Sequence, residues 1–449
     1  MVKSTRNKGL IVLGLSLVFV ILLTLFMVSE LAPVTEARIA DCESRIKAIQ
    51  ESSELTNEEE DLKTDYEEKI SMLENRAKYY SIAMLFVGAL LLAGFIYYMF
   101  ADVYFAAPLS ALGILLAIGI SFRCIISFEM KDVLLLVVSV AAGFVVYFVC
   151  KRMTTMNNKI FYALCGSVIL LLIINLIFGD PPEGVKEGAR LWLNVFGVSI
   201  QPGEIIKFLL VMIGAYSYGN NKRIMLYYGT SLFSCFTLLA LKDLGTASII
   251  FTLALMMTIL LLDSIKMFLV CIIMAVGAVV VAVLMFDYVR ERFMNFGNAM
   301  DNPASQQAQL LKAVVFGGIG GLGISNSSYI INIFAIDTDM VVAGIASVFG
   351  VGMLLVVMLC YSVLVLLPRK NAAVYPWAYY VTTQASVAIV VQVLLNFLGS
   401  MDIIPFTGVV APFLSSGGSA TLTYCMIFGL VFAALNPKIV PLAKQKQEG

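Results

Sequence analysis

The sequence has no histidine and very little charge. Its 449 residues include 30 basic and 30 acidic side chains, so the formal net charge is zero. Without histidine, imidazole catalysis and imidazole metal ligation are excluded. The eight cysteines show no CxxC spacing, which argues against a structural zinc site or a disulfide framework. No basic patch suggests a nucleic-acid partner, and none is expected.

Long apolar runs fill the chain instead. Hydrophobic residues make up 60% of it and the mean hydropathy is +0.93, far from the values of soluble globular domains. About twelve runs are long enough to cross a bilayer as helices. They lie near residues 9–30, 80–100, 105–126, 133–150, 160–178, 202–219, 225–241, 245–262, 266–286, 340–367, 375–398 and 411–435. The sequence therefore predicts an all-α polytopic membrane protein.

Basic segments between the runs predict its orientation. Lysine and arginine are enriched in cytoplasmic loops, and five segments show this enrichment: the N-terminus, 151–159, 220–223, 367–371 and the C-terminal tail. Twelve crossings with both termini in the cytoplasm place all five inside. The long polar segments 31–79 and 287–339 then face the extracytoplasmic side.

Segment 31–79 differs from the other polar segments because it carries thirteen acidic and seven basic residues. Its apolar positions follow helical spacing: Ile39, Cys42, Ile46 and Ile49, and then Tyr66, Ile70, Leu73 and Ala77. Thr56 or Asn57 suits the start of the second helix. The pattern predicts an antiparallel helical hairpin that projects from the first two spans. It is either a solvated spacer or a coiled-coil arm that binds a partner.

Several charged or glycine-rich positions stand out in the remaining spans. Glu204 and Lys207 are one helical turn apart in an apolar run, which predicts a structural ion pair. Arg290 and Arg292 suit a diphosphate or a lipid headgroup. The glycine-rich stretch 317–323 either brings backbone amides near an anion or serves close packing, as glycine does in membrane helices.

Five motifs in order resemble the SEDS family of bacterial peptidoglycan polymerases, which includes the FtsW, RodA and SpoVE proteins. "GARLW" (188–192) precedes "QPGEIIK" (201–207), and "DLGTA" stands at 243–247. A pattern of glutamines and glycines over 306–323 leads to "DTDM" at 337–340. Gln392 and Asn396 precede "PFTGVVAPFLSSGGS" at 405–419. The resemblance extends over about 105–435.

The resemblance implies transfer between lipid-linked disaccharides, with attack by the GlcNAc 4-hydroxyl of lipid II and release of undecaprenyl diphosphate. Asp339 aligns with the family's essential aspartate and would act as general base. Asp243, Asp337 and Asn396 would support it. The residues implied in binding substrate or diphosphate are Arg190, Trp192, Arg290, Arg292, Gln309, Lys312, Ser415 and Ser419. A divalent cation, Mg or Mn, is a further candidate for neutralising the diphosphate.

The same resemblance divides the chain into three parts. These are a two-span unit at 1–104 with the hairpin, a ten-span polymerase core at 105–436, and a cytoplasmic tail at 437–449. The implied partners are lipid II, a class B penicillin-binding protein that crosslinks the product, and coiled-coil division proteins at the hairpin. The implied setting is the bacterial cytoplasmic membrane during elongation, division or sporulation.

Other interpretations stay open at this stage. Asp339 also suits the N-cap of the helix over 340–367. The many spans would permit a transporter of a lipid-linked precursor. The two acids that usually follow the family's aspartate motif are replaced by Ser347 and Val348, which keeps a catalytically silent scaffold of the division or sporulation machinery as an alternative.

Overall fold

Long helices form almost all of the computed structural model. It describes residues 2–50, 57–100, 106–151, 153, 156–181, 189–195, 198–262, 265–331, 333–372 and 376–435. The long helices are α1 (Val2–Gln50), α2 (Asn57–Phe100), α3 (Ala106–Ile126), α4 (Met130–Cys150), α5 (Asn158–Phe178), α6 (Pro202–Ser217), α7 (Asn221–Ala240), α8 (Leu244–Leu262) and α9 (Ile265–Met285). After a segment of shorter elements come α13 (Val341–Ala372), α14 (Pro376–Ser400) and α15 (Gly418–Ala434).

Apart from the polar extensions of α1 and α2, these helices match the twelve apolar runs to within five residues, except that α15 begins seven residues after the start of its run. In the described part of the chain, nine helices are long and apolar enough to cross a membrane. Their outward faces carry many exposed leucine, valine, isoleucine and phenylalanine side chains, as expected where lipid replaces water. The predicted all-α polytopic membrane fold is confirmed.

Short elements lie between the long helices. The segment 287–339 contains α10 (Asp287–Asn295), a 3₁₀ turn (Ala299–Asp301), α11 (Gln306–Gly317) and α12 (Ser328–Ile331). Two strands, β1 (Leu193–Val195) and β2 (Val198–Ile200), pair in antiparallel fashion. The sequence did not predict this strand pair, since three-residue strands are too short for a periodic signal.

Helices α1 and α2 lie side by side and antiparallel. Arg45 on α1 donates a hydrogen bond to Tyr66 on α2 at 3.3 Å. At the opposite end, Gly9 lies against the Tyr98 ring. Both helices pack on α3. Thr56, the proposed start of the second helix, and the C-terminal tail lie outside the described residues.

Helix α13 is broken at Gly350. This residue has φ 82° and ψ 171°, a conformation that favours glycine. The freed carbonyls of Ser347 and Val348 accept hydrogen bonds from the amides of Leu322 (2.8 Å) and Gly323 (3.0 Å). The amides of Leu322 and Gly323 therefore bond to protein backbone, which favours the packing alternative for these two residues. The same bonds satisfy carbonyl groups at the break, as non-helical backbone in a membrane requires.

Candidate active site

The backbone around Asp339 is held by Asn396, which projects from α14. The Asn396 side-chain amide donates to the Asp339 carbonyl at 2.9 Å and to the Val409 carbonyl at 2.7 Å. Its Oδ1 accepts from the Val342 amide at 3.4 Å. Among the described residues, the Asp339 side chain makes no such bond to the first turn of α13, so the N-cap interpretation is not supported. Its carboxyl group is left available for other chemistry.

A second tether comes from the loop before α15. Ser415 Oγ donates to the Thr338 carbonyl at 2.6 Å, and the Ser416 amide donates to the Asp337 carbonyl at 2.9 Å. Ser415, which is a predicted substrate-binding residue, is buried, and its hydroxyl group donates its hydrogen to the Thr338 carbonyl. This bond helps to position the aspartate segment, and the role of Ser415 in substrate binding stays a prediction.

Ser419, another predicted substrate residue, also makes an internal contact. Its Oγ accepts a hydrogen bond from the Gln201 amide at 3.1 Å, at the start of α6. Gln201 in turn directs its side-chain nitrogen to Asp243 Oδ2 at 3.4 Å. Gln201 was not singled out from the sequence, although it lies within the recognised "QPGEIIK" motif.

Asp243 immediately precedes α8 and lies within electrostatic range of Asp339. Its Oδ1 accepts from the Thr246 amide at 2.9 Å, which caps the helix and orients the carboxylate. On the other side, Gly408 has φ +66°, and a Cβ there would stand 3.3 Å from Asp339 Oδ2. Glycine therefore suits this position both for its backbone and for the space beside the carboxylate.

The environment of Asp339 favours its protonated form. The pKa of Asp339 is raised from 3.8 to about 7, chiefly by burial and then by the neighbouring charges of Asp337 and Asp243, while Arg292 lowers it. A carboxylate removed from water and placed near like charges holds its proton more tightly. A pKa near neutrality suits a group that accepts and returns a proton at physiological pH.

Arg292 is the positive charge that acts on Asp339 within the group of Asp243, Asp337 and Asp339, which we call the aspartate cluster. It projects from α10, its guanidinium lies 5.7 Å from the centre of the Tyr288 ring, and its Nη1 is buried without a hydrogen-bond partner. Burial lowers the pKa of Arg292. Tyr288 is fixed by a 3.0 Å hydrogen bond to the Leu239 carbonyl. A buried, unpartnered guanidinium nitrogen is suited to receive an anionic ligand.

Arg290 is placed differently from Arg292, although only one residue separates them. Its side chain is about half exposed and pairs with Asp287. The sequence did not show which of these two arginines lies near Asp339, because tertiary packing decides which face of α10 meets the core. Of the two, only Arg292 is within electrostatic range of Asp339.

The other predicted binding residues are not joined to Asp339 by any hydrogen bond or ion pair in the described part of the chain. Gln309 donates to the Ala304 carbonyl at 3.0 Å, and Lys312 is half-buried on α11. Arg190 is exposed. Trp192 exchanges backbone hydrogen bonds with Asp180 at 2.8 and 3.2 Å. Their roles in substrate binding stay predictions.

A buried polar network lies on α6. Lys207 Nζ is 2.7 Å from Glu204 Oε1 and 2.6 Å from Gln392 Oε1. Tyr424 Oη donates to the same Gln392 oxygen at 2.5 Å. Sequence reasoning missed Tyr424, since a tyrosine within an apolar run carries no signal of its own. The network joins α6, α14 and α15.

No three cysteine, aspartate or glutamate side chains of the described residues group closely enough to hold a metal ion. Asp243 and Asp339 are within electrostatic range of each other, and a cation there would need further ligands from a bound diphosphate. Mg or Mn therefore stays a prediction.

The family model for cell cycle proteins of the FtsW, RodA and SpoVE type matches residues 83–438. This span covers most of the chain. The protein belongs to the FtsW/RodA/SpoVE family. The resemblance inferred from the five motifs is confirmed, and the matched region includes every residue of the aspartate cluster.

Individual family members are similar at low identity. A probable peptidoglycan glycosyltransferase FtsW from Geobacter metallireducens is 24% identical over 284 residues, 60% of this chain and 74% of the relative. Stage V sporulation protein E from Bacillus subtilis is 25% identical over 291 residues, 61% of this chain and 77% of the relative. A probable FtsW from B. subtilis reaches 28% over 289 residues, 59% of this chain and 70% of the relative.

Two solved structures show a similar fold. One chain of a peptidoglycan synthase complex that coordinates polymerization and crosslinking has a TM-score of 0.59 at 20% identity, over 73% of this chain and 96% of that one. A variant of the rod shape determining protein RodA from Thermus thermophilus has a TM-score of 0.51 at 17% identity, with the same two coverages.

Proposed function

We propose that this member of the FtsW/RodA/SpoVE family is a peptidoglycan glycosyltransferase that polymerises lipid II. The observation that carries the proposal is the half-buried Asp339 with a pKa of about 7, near an unpartnered guanidinium nitrogen of Arg292. This pairs a proton acceptor with an anion-binding group, which is what transfer from a diphosphate requires. The activity in the names of its relatives supports the same reaction.

In the proposed reaction, Asp339 removes the proton from the GlcNAc 4-hydroxyl of one lipid II molecule. The freed oxygen electron pair forms a bond to the anomeric carbon at the end of the growing strand. The bond from that carbon to the diphosphate oxygen breaks, and its electron pair leaves with undecaprenyl diphosphate. Arg292 stabilises the charge that develops on this leaving group, and Asp339 later passes its proton to water.

The proposal places the reaction on the extracytoplasmic face of the bacterial cytoplasmic membrane. The basic segments support an orientation with both termini in the cytoplasm, and lipid II presents its sugars on the outer face. A class B penicillin-binding protein is the proposed transpeptidase partner, because the structurally similar synthase complex is described as coordinating polymerization and crosslinking. Coiled-coil division proteins are the proposed partners of the hairpin at 31–79.

Polymerisation of labelled lipid II by the purified full chain, with and without a class B transpeptidase from the same source, tests the proposal. We expect glycan strands from the wild type and none from Asp339→Asn. Asp301→Asn is a matched control, because Asp301 is exposed in the same polar segment and is absent from the charges that act on Asp339.

Each other outcome contradicts part of the proposal. Glycan strands made by Asp339→Asn would show that another residue accepts the proton. A folded wild type that makes no strands with any partner would favour the silent scaffold. Movement of lipid II across the membrane of vesicles that contain the protein, without strand formation, would favour a transporter of the lipid-linked precursor.

A further inference from the structure

A cavity of about 960 Å³ lies between the α1–α2 pair and the core. Residues 33–45 of α1 and 66–76 of α2 form one wall, and the α3–α4 connection at 126–129 forms the other, with Ser325 and Ile331 at its margin. The α1–α2 wall precedes residue 83, where the match to the family model begins. The cavity is therefore built largely from residues outside the family match and is separate from the aspartate cluster.

The cavity lies at one edge of the apolar layer. The apolar run of α1 ends near residue 30, and that of α2 begins near residue 80. Helix α3 ends at Ile126 and α4 begins at Met130. Four helices therefore pass from apolar to polar sequence at the same level, which marks the boundary between hydrocarbon and headgroups.

Two arginines converge inside this cavity. Arg38 Nη1 and Arg76 Nη1 both donate to the Ile125 carbonyl, at 3.2 and 3.3 Å. Their other recorded acceptors are the hydroxyls of Ser327 (3.4 Å) and Thr35 (3.0 Å). Arg76 is only 3% exposed. All of these acceptors are neutral, and the end of α3 offers a partial charge of about −0.5, less than the two guanidinium groups require.

The carboxylates that line the cavity are already engaged elsewhere. Asp41 pairs with Arg45 at 3.0 Å, and Glu129 pairs with Lys131 at 3.1 Å. Within the described ranges, no carboxylate lies within 4 Å of Arg38, Arg76 or the exposed Lys69, which also lines the cavity.

Arg76 is buried and Arg38 is half-buried beside it, and two guanidinium groups held together away from water are costly without a counter-anion. The cavity therefore calls for an anionic ligand that the chain does not itself supply.

Apolar side chains surround these charges. Val34, Leu73 and Phe128 line the same cavity, and Leu73 and Phe128 are buried. A ligand here needs an anionic group and an apolar body at the bilayer edge.

We propose that the cavity binds an anionic membrane lipid, with its phosphate between Arg38, Lys69 and Arg76 and its acyl chains along the apolar lining. Phosphate suits paired guanidinium groups because several charged hydrogen bonds form at once.

Native mass spectrometry of the full chain in detergent tests this proposal. Phosphatidylglycerol is titrated against phosphatidylcholine with identical acyl chains, and inorganic phosphate is titrated in a third series. We expect one phosphatidylglycerol per chain, bound about tenfold or more tightly than phosphatidylcholine. Arg38→Gln and Lys69→Gln should each weaken phosphatidylglycerol binding, and Lys47→Gln should not, since Lys47 is exposed on α1 and does not line the cavity.

Three results would overturn the proposal. Equal binding of the two lipids would show that the cavity does not require a net negative charge on the lipid headgroup. Equal phosphatidylglycerol affinity in all variants would show that the lipid binds outside this cavity. Displacement of the lipid by millimolar inorganic phosphate would make the cavity a free-anion site. Lys69→Gln keeps the test valid if Arg38→Gln does not fold, because Lys69 is exposed and its removal leaves the core contacts intact.

Discussion

The Lys207 ammonium lies 2.7 Å from Glu204 Oε1, and the lysine side chain has no exposed surface. Replacing Glu204 with glutamine leaves this cation buried with only neutral oxygens around it. Loss of one partner of a buried pair typically costs about 3–5 kcal/mol. We expect Glu204→Gln to lower the free energy of unfolding by an amount of that order, measured by thermal or denaturant unfolding in detergent.

The double variant Glu204→Gln, Lys207→Met is the matched control for the ion pair. It removes both charges at similar volume and should recover most of the lost stability, since apolar replacement of a buried pair is often neutral or stabilising. A single variant as stable as the wild type would contradict the prediction.

The rate of the proposed reaction should rise with pH. The general base must be deprotonated, and the pKa of Asp339 is about 7. Between about pH 6 and pH 8 the initial rate of lipid II polymerisation should therefore increase about tenfold. Asp337→Asn removes a like charge and should move the midpoint to lower pH, whereas Asp301→Asn should leave it in place. A midpoint that Asp337→Asn does not move would exclude this electrostatic coupling.

Asp339→Asn should stabilise the fold, and more so in alkaline solution. The pKa of Asp339 is raised from 3.8 to about 7 in the folded protein, so the folded state binds a proton that the unfolded state releases. The wild type therefore loses stability as pH rises from about 4 to about 7, and stays lower above that range. The Tm gain of the variant should be larger near pH 8 than near pH 5, and a gain independent of pH would refute this origin.

Arg292 and Arg290 should differ in their effect on catalysis. Removing a preorganised charge that faces the leaving group typically lowers kcat by about 10²–10³, and we expect this of Arg292→Gln. Arg290→Gln should cause a much smaller loss, because Arg290 is exposed and pairs with Asp287. Both variants are measured by initial polymerisation rates at saturating lipid II. Equal losses would show that the two arginines share the diphosphate.

The sequence alone predicted the membrane fold because long apolar runs report directly on bilayer crossing. It also singled out Asp339 and Asn396, since both stand in motifs. The contact between the Asn396 side chain and the Asp339 carbonyl was not predictable, because it joins residues 57 positions apart. The same limit applies to the glycine-stretch amides, whose partners, Ser347 and Val348, are revealed only by the break at Gly350.

The polar half of the α1–α2 pair also has a mechanical consequence. Residues 31–50 of α1 continue as helix beyond the apolar run, and at 1.5 Å per residue they reach about 30 Å from the membrane surface. A partner at the far end need not touch the bilayer at all. Arg38 and Arg76 hold the pair to the end of α3, so residues 39–50 of α1 form a rod of about 18 Å beyond this contact. A tilt of about 10° about this contact would carry the far end of that rod about 3 Å sideways.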